Sequence, residues 1–328
     1  QAISYLTDVK NKKYPAEKNF LNYLLFLSFF PTIIEGPIAR YDQISENLQK
    51  GEAIHFHNLR SGFQRILWGL MKKVVIADRI DPFVMTVFSD VSGHSGALLL
   101  SATLLYTFQL YAEFSGTMDI VLGVSEMIGV SLPENFNQPF MAKTVSEFWR
   151  RWHMTLGAFF KDYIFYPISL SKTTRKLSKK LKKPVGKYYA RAIASLIALF
   201  AVWLANGLWH GAQWQYILYG MYYFGLISLG ILCEPLFVAF FKKTKLKRDG
   251  HFFNVVKWLR TFILVNIGML IFRAHGVRAA WAMLQKIVFD FHLQDLSAET
   301  FLGKGLDFYD LGLLFVSLII VVIVSVMK

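Results

Sequence analysis

The stretch AIASLIALFAVWLANGLWHG, residues 192–211, decides the fold. It carries no charged side chain, and its only ionisable group besides the apolar run is His210, near the end. A helix needs about 20 predominantly apolar residues to cross the hydrocarbon layer of a bilayer. Lipid offers no hydrogen-bond partners, so a run of this kind satisfies its backbone only as a helix. Comparable apolar runs lie at 20–34, 97–112, 214–241, 255–272 and 311–327. Weaker ones lie at 63–77, interrupted by Lys72 and Lys73, and at 119–132. Several are short for a full span and adjoin polar motifs, which points to re-entrant and interfacial pieces. The expectation is an all-α, polytopic transmembrane helical bundle with re-entrant and interfacial helices, forming a single domain over 1–328.

Composition agrees. Hydrophobic residues make up 54% of the 328 residues and charged ones 18%, against about 25% charged in soluble domains. Phe (30), Tyr (15) and Trp (8) are abundant, as expected where side chains meet lipid and its interfaces.

The formal net charge is +14, but the positive residues sit in short runs between apolar segments. That is the pattern of cytoplasmic loops under the positive-inside rule, not of a nucleic-acid recognition fold. One basic run occupies 172–191 and contains no acidic residue; another occupies 242–248. Both are expected on the cytoplasmic side, with the turn at 209–213 on the other, and the net acidic segment 277–310 outside. The plain reading of the first run is topology and attraction to anionic lipid, about 1 kcal/mol per basic residue at the surface. The sharper reading is docking of an acidic partner or a phosphate-bearing acyl donor at Lys179, Lys180, Lys182 and Lys183.

Cys233 is the one cysteine, so no internal disulfide is possible. The pair His55 and His57 lacks nearby ligands at zinc spacing, and no metal site is expected. The nucleophile-elbow pattern of serine hydrolases is missing. A transporter or channel stays open, because polar half-spans also build transport paths.

Ionisable groups at membrane depth are costly and mark functional positions. His55, His57, His251 and His292 fall in polar segments, His94 in a Ser-Gly turn stretch, and His275 follows a span near Arg273. His210 stands between Gly207 and Gly211. A neutral imidazole there can accept the proton of an attacking hydroxyl, and glycine lets another group approach the backbone. It reads equally as an interfacial histidine beside Trp203, Trp209 and Trp214. His153 closes the block Glu147-Phe148-Trp149-Arg150-Arg151-Trp152-His153, which also fits a membrane-surface helix with arginines at the headgroups. Only the fold can bring the two histidines together.

Four blocks resemble the membrane-bound O-acyltransferase family, in its bacterial branch of alginate O-acetylation and teichoic acid D-alanyl transfer proteins. They are Phe29-Phe30-Pro31 with Glu35-Gly36-Pro37-Ile38-Ala39-Arg40; Glu113-Phe114-Ser115-Gly116-Thr117-Met118-Asp119 running on to Leu132-Pro133-Glu134-Asn135-Phe136; 147–156 followed by Lys161-Asp162-Tyr163; and Trp209-His210-Gly211. The chain departs from the family pattern at Thr117-Met118, where Tyr-Ser is usual, and at Lys161, where Arg is usual. The resemblance implies a central tunnel from a cytoplasmic acyl donor to an extracytoplasmic acceptor. It implies His210 as the catalytic histidine and His153 as the second active-site position. It also implies a donor thioester, acetyl-CoA or an acyl carrier protein, with no bound cofactor, and an extracytoplasmic acyl-transfer partner protein. Lys161-Asp162-Tyr163-Ile164-Phe165-Tyr166-Pro167 is closer to the alginate type, so acetyl transfer to a cell-envelope polysaccharide is expected, with D-alanyl transfer as the alternative. Residues 1–9 look like the second half of a family motif that follows several helices. N-terminal helices are therefore expected to be missing, and the C-terminus to stop early.

Overall fold

The computed structural model describes residues 1–51 and 54–327. Among them every regular element is a helix. Four helices are long and apolar enough to cross a membrane: Gly96–Met127, Lys172–His210, Trp214–Thr244 and His251–Arg273. The protein is a multi-pass membrane protein. The chain divides into two compact units, Gln1–Asn137 with Ala282–Lys328, and Gln138–Trp281.

In the first unit the runs at 97–112 and 119–132 merge into the single helix Gly96–Met127. The polar residues that split the hydropathy do not end the helix, because each has an ionic partner on the neighbouring chain segment. Lys72 meets Asp119 at 2.6 Å and Lys73 meets Glu113 at 2.9 Å. Arg65 joins Asp119 at 3.0 Å and Glu134 at 2.7 Å, and Lys72 also donates to the Ser115 hydroxyl at 2.8 Å. Lys72 is 4% exposed, and removing one partner of a buried pair of this kind costs about 3–5 kcal/mol. The family block at 113–119 therefore serves, in large part, to neutralise the two lysines that interrupt 63–77.

That helix pairing is close enough for backbones to touch. A Cβ on Gly62 would lie 2.5 Å from the Gly123 carbonyl oxygen, and one on Gly69 2.5 Å from that of Gly116. Small residues at such a seam let membrane helices pack where lipid supplies no hydrophobic drive between them. Helix Phe56–Leu70 then runs into a π-helical turn, Met71–Ala77, which carries Lys72 and Lys73. The departure at Thr117-Met118 is accommodated locally. Thr117 donates to the Glu113 carbonyl at 3.0 Å, and Asn135 donates to the Met118 sulfur at 3.3 Å.

The run at 20–34 is not a continuous span. It divides into Phe20–Leu27 and Phe30–Ile33, because Pro31 has no N–H to continue an upstream helix and fits only the first turn of a new one. His94, in its Ser-Gly turn, is buried. Its Nδ1 lies 2.6 Å from the Asp90 carbonyl oxygen and its Nε2 2.7 Å from the Lys304 ammonium. Those partners call for a proton on Nδ1 and a lone pair on Nε2.

In the second unit, Lys172–His210 and Trp214–Thr244 form an antiparallel pair joined by residues 211–213. Gly186, at φ 81°, breaks the first of these into two pieces. The piece before the break is amphipathic: Thr174 is buried and Leu177 and Leu181 half-buried, while Lys179, Lys180, Lys182 and Lys183 are exposed. The long apolar piece after it leads to His210. The His251–Arg273 helix returns alongside, pinned by Tyr222, which donates to the Leu264 carbonyl at 2.8 Å, and by Trp258, which donates to that of Phe140 at 2.8 Å. With these directions, both basic segments lie at one end of the bundle and His210 at the other, where it meets Phe272. This is the arrangement expected from the charge pattern.

Candidate active site

The Val145–Arg151 helix begins with a reciprocal cap. The Thr144 hydroxyl accepts the Glu147 N–H at 3.0 Å, and the Glu147 carboxylate accepts the Lys143 N–H at 2.9 Å. This is a close variant of the Thr-x-x-Glu capping box, and Glu147 also pairs with Arg151 at 2.9 Å. The helix stops at Trp152, and the next one, Met154–Phe160, starts after His153. His153 itself occupies the left-handed region, at φ 48° and ψ 52°. A non-glycine residue held there costs about 1–3 kcal/mol, and such strain collects at functional positions. The corner turns the imidazole inward, where it is 8% exposed.

His210 is the last residue of its helix, ended by Gly211 at φ 145°. Its ring packs against Trp209 and Phe272, both at 4.9 Å between centroids, and against Tyr219 at 5.9 Å. The His153 ring lies 5.8 Å from the same Trp209. Trp209 thus touches both imidazoles, and the two are close enough to feel each other's charge. Burial, with a smaller contribution from His210, holds the His153 imidazole down at about 3. It is therefore neutral at physiological pH, able to accept or donate a hydrogen bond without carrying charge.

The structure assigns Gly207 a different job from the one read in the sequence. A Cβ on Gly207 would lie 2.6 Å from the Tyr216 carbonyl oxygen, and one on Gly220 2.3 Å from that of Trp203. Gly207 is small so that the two helices can meet directly beneath His210, not so that a substrate can reach the backbone. Sequence reasoning also missed the aromatic box around the histidines. Tyr219, Tyr216 and Phe272 come from two further helices, and their positions within uninterrupted apolar runs give no local signal. Helical spacing, by contrast, does put Trp203 and Asn206 on the His210 face.

Lys179, Lys180, Lys182 and Lys183 lie on the other side of Gly186, away from this box. None of the four makes an ion pair among the described residues. No group of three or more His, Cys, Asp or Glu side chains able to hold a metal gathers among the described residues.

The sequence profile of MBOAT, the membrane-bound O-acyltransferase family, matches residues 10–182. The chain belongs to the membrane-bound O-acyltransferase family. His153 lies within that match, and the similarity to individual members extends past it. It is 32% identical over 298 residues to a probable alginate O-acetylase AlgI of Pseudomonas aeruginosa, covering 90% of this chain and 51% of that protein. It is 31% identical to a peptidoglycan O-acetyltransferase of Helicobacter pylori, over 82% of this chain and 47% of that one. It is also 31% identical to a teichoic acid D-alanyltransferase of Bacillus subtilis, over 76% and 60%. The chain spans about half the length of the curated relatives it matches most extensively.

Proposed function

We propose that this chain, as a single O-acyltransferase domain, carries the transfer centre of an enzyme that moves an acetyl group from a cytoplasmic thioester to hydroxyls of an extracytoplasmic cell-envelope polysaccharide. The observation that carries the reading is the pairing of His153 and His210 across Trp209. The histidines sit at the end of the bundle opposite the basic segments, so the proposed transfer requires a path between the two sides.

His210 takes the proton of the acceptor hydroxyl as its oxygen bonds to the acyl carbon. The C–S bond then breaks, and the proton ends on the departing thiol. His153, buried and neutral, holds the second position as a hydrogen-bonding partner to donor or acceptor. A thioester donor, acetyl-CoA or a loaded acyl carrier protein, needs no bound cofactor. An extracytoplasmic protein partner would pass the acyl group on to the polymer. Membership of an acyltransferase family supports this over a transporter or channel.

D-alanyl transfer to teichoic acid is the second reading, favoured by the similarity to the Bacillus subtilis protein. Full-length protein in membranes, offered labelled acetyl-CoA or D-alanyl-loaded carrier protein, separates the two. Acetyl turnover supports the first, D-alanyl turnover the second, and no turnover of either defeats both.

The exposed lysines supply a further expectation. With Lys179, Lys180, Lys182 and Lys183 all replaced by Gln, the donor KM should rise severalfold at low salt while kcat changes little, because a rim charge acts mainly on encounter. The difference should shrink as salt shortens the screening length. Equal donor dependence of mutant and wild type at low salt, in membranes of verified topology, would leave the lysines with topology and lipid contact alone.

A further inference from the structure

Both ring nitrogens of the buried His94 are engaged, by partners of opposite kinds. Nδ1 lies 2.6 Å from the Asp90 carbonyl oxygen and so carries the proton; Nε2 lies 2.7 Å from the Lys304 ammonium and so carries the lone pair. An ammonium has only protons to offer, and the contact holds while Nε2 is bare. Once Nε2 takes a proton, two cationic donors face each other with no acceptor between them, and attraction becomes repulsion. Histidine is the one side chain whose ordinary ionisation falls between about pH 5 and pH 8.

The charged groups around the pair leave this contact as the one a proton removes. Lys286 donates to the Ser92 and His94 carbonyls at 2.8 and 2.7 Å and lies 3.4 Å from Asp290. Asp290 also lies 3.6 Å from His292, a pairing that a proton on His292 strengthens. The Asp90 carboxylate accepts from the Ser92 hydroxyl at 2.7 Å and the Gly93 N–H at 2.9 Å, which holds it below the usual carboxylate range. It therefore stays ionised in mild acid, and its charge reaches His94, so an imidazolium there has a carboxylate to settle against. Lys304 has no carboxylate partner among the described residues.

Lys304 belongs to a segment with little order of its own. The stretch 297–306 contains the five-residue helix Ala298–Leu302, too short to stand alone in water. Its place is kept by contacts with the rest of the first unit: Phe301 stacks on Phe83 at 4.9 Å, Gly305 lies against Pro82, and Lys304 reaches His94 just before the Gly96–Met127 helix. We propose that His94 and Lys304 form an acid-released latch. Neutral His94 fastens segment 297–306 to the start of the Gly96–Met127 helix, and a proton on Nε2 sets the segment loose. With 277–310 on the outside, as its charge predicts, the latch reads the pH of the extracytoplasmic space and not that of the cytoplasm. It stands independently of the acyl-transfer reading.

Amide hydrogen exchange of the full chain in lipid nanodiscs tests the latch, with each rate divided by that of the unstructured sequence at the same pH. Loss of a hydrogen bond to a charged group is worth about tenfold or more in a local opening equilibrium. Wild-type protection of the 298–306 amides should therefore fall by at least about tenfold between about pH 8 and pH 5, while the Gly96–Met127 amides stay protected. His94→Gln offers Lys304 a neutral acceptor at every pH and should abolish the fall. Lys304→Met removes the cation and should give equal protection at both pH values; Lys304→Arg keeps the cation and should keep the fall. Equal wild-type protection at the two pH values overturns the latch, and so does a fall that survives in Lys304→Met. Should His94→Gln fail to fold, the two Lys304 variants decide.

Discussion

His210→Ala should lower acyl transfer by about 10³-fold or more while the protein still inserts and accumulates. General-base catalysis contributes about 10²–10⁴-fold, and here the base stands among aromatic rings. Among the described residues the imidazole packs on rings, at 4.9 Å to Trp209 and Phe272 and 5.9 Å to Tyr219, so its loss leaves a small gap among them. Acylated acceptor, counted per folded enzyme in membranes, is the readout. Normal acylation by the mutant would remove His210 from the chemistry. Loss of the protein itself would make the ring a packing element.

His153→Ala should also cost much activity, roughly 10- to 10²-fold by the scale of a supporting polar group, without necessarily abolishing it. The residue is held in a left-handed corner between two short helices, and its burial keeps it uncharged, at about 3. A group neutral across about pH 5–8 contributes no titration to the rate in that window. His153→Asn, which keeps a neutral hydrogen-bonding side chain, should therefore retain the shape of the wild-type pH profile at whatever rate survives. A profile that loses an ionisation in His153→Asn would contradict the neutral assignment. A full rate in His153→Ala would reduce the Glu147-to-His153 block to packing.

The membrane class was legible because lipid imposes one requirement, backbone satisfaction within the segment, and apolar runs at 192–208, 214–241 and 255–272 meet it. Boundaries were less legible wherever polarity was answered by a distant residue. Glu113 and Asp119 split one helix into two in a hydropathy reading, because Lys73 and Lys72, which neutralise them, lie about forty positions upstream. Pro31 carried the opposite lesson: a local signal for a break inside the run 20–34, outvoted by its apolar neighbours.

At the site, His153 and His210 stood out as ionisable groups in aromatic and apolar surroundings. Their meeting across Trp209 belongs to the fold, since the chain between them contains a corner, an interfacial basic helix, a glycine break and a full span. Gly207 illustrates the ambiguity of a single letter. A glycine beside a reactive group suits either a substrate or a helix, and here Tyr216 of the adjoining helix fills the space.

The proposed union of His153 and His210 in one transfer centre is measured directly by a double-mutant cycle. Acyl-transfer rates would be compared for full-length wild type, His153→Ala, His210→Ala and the double variant, all normalised to folded protein. Groups acting as a unit are strongly non-additive, so the double variant should be no slower than His210→Ala alone. Losses that simply multiply, or a His210→Ala enzyme that still transfers at the wild-type rate, would contradict the claim.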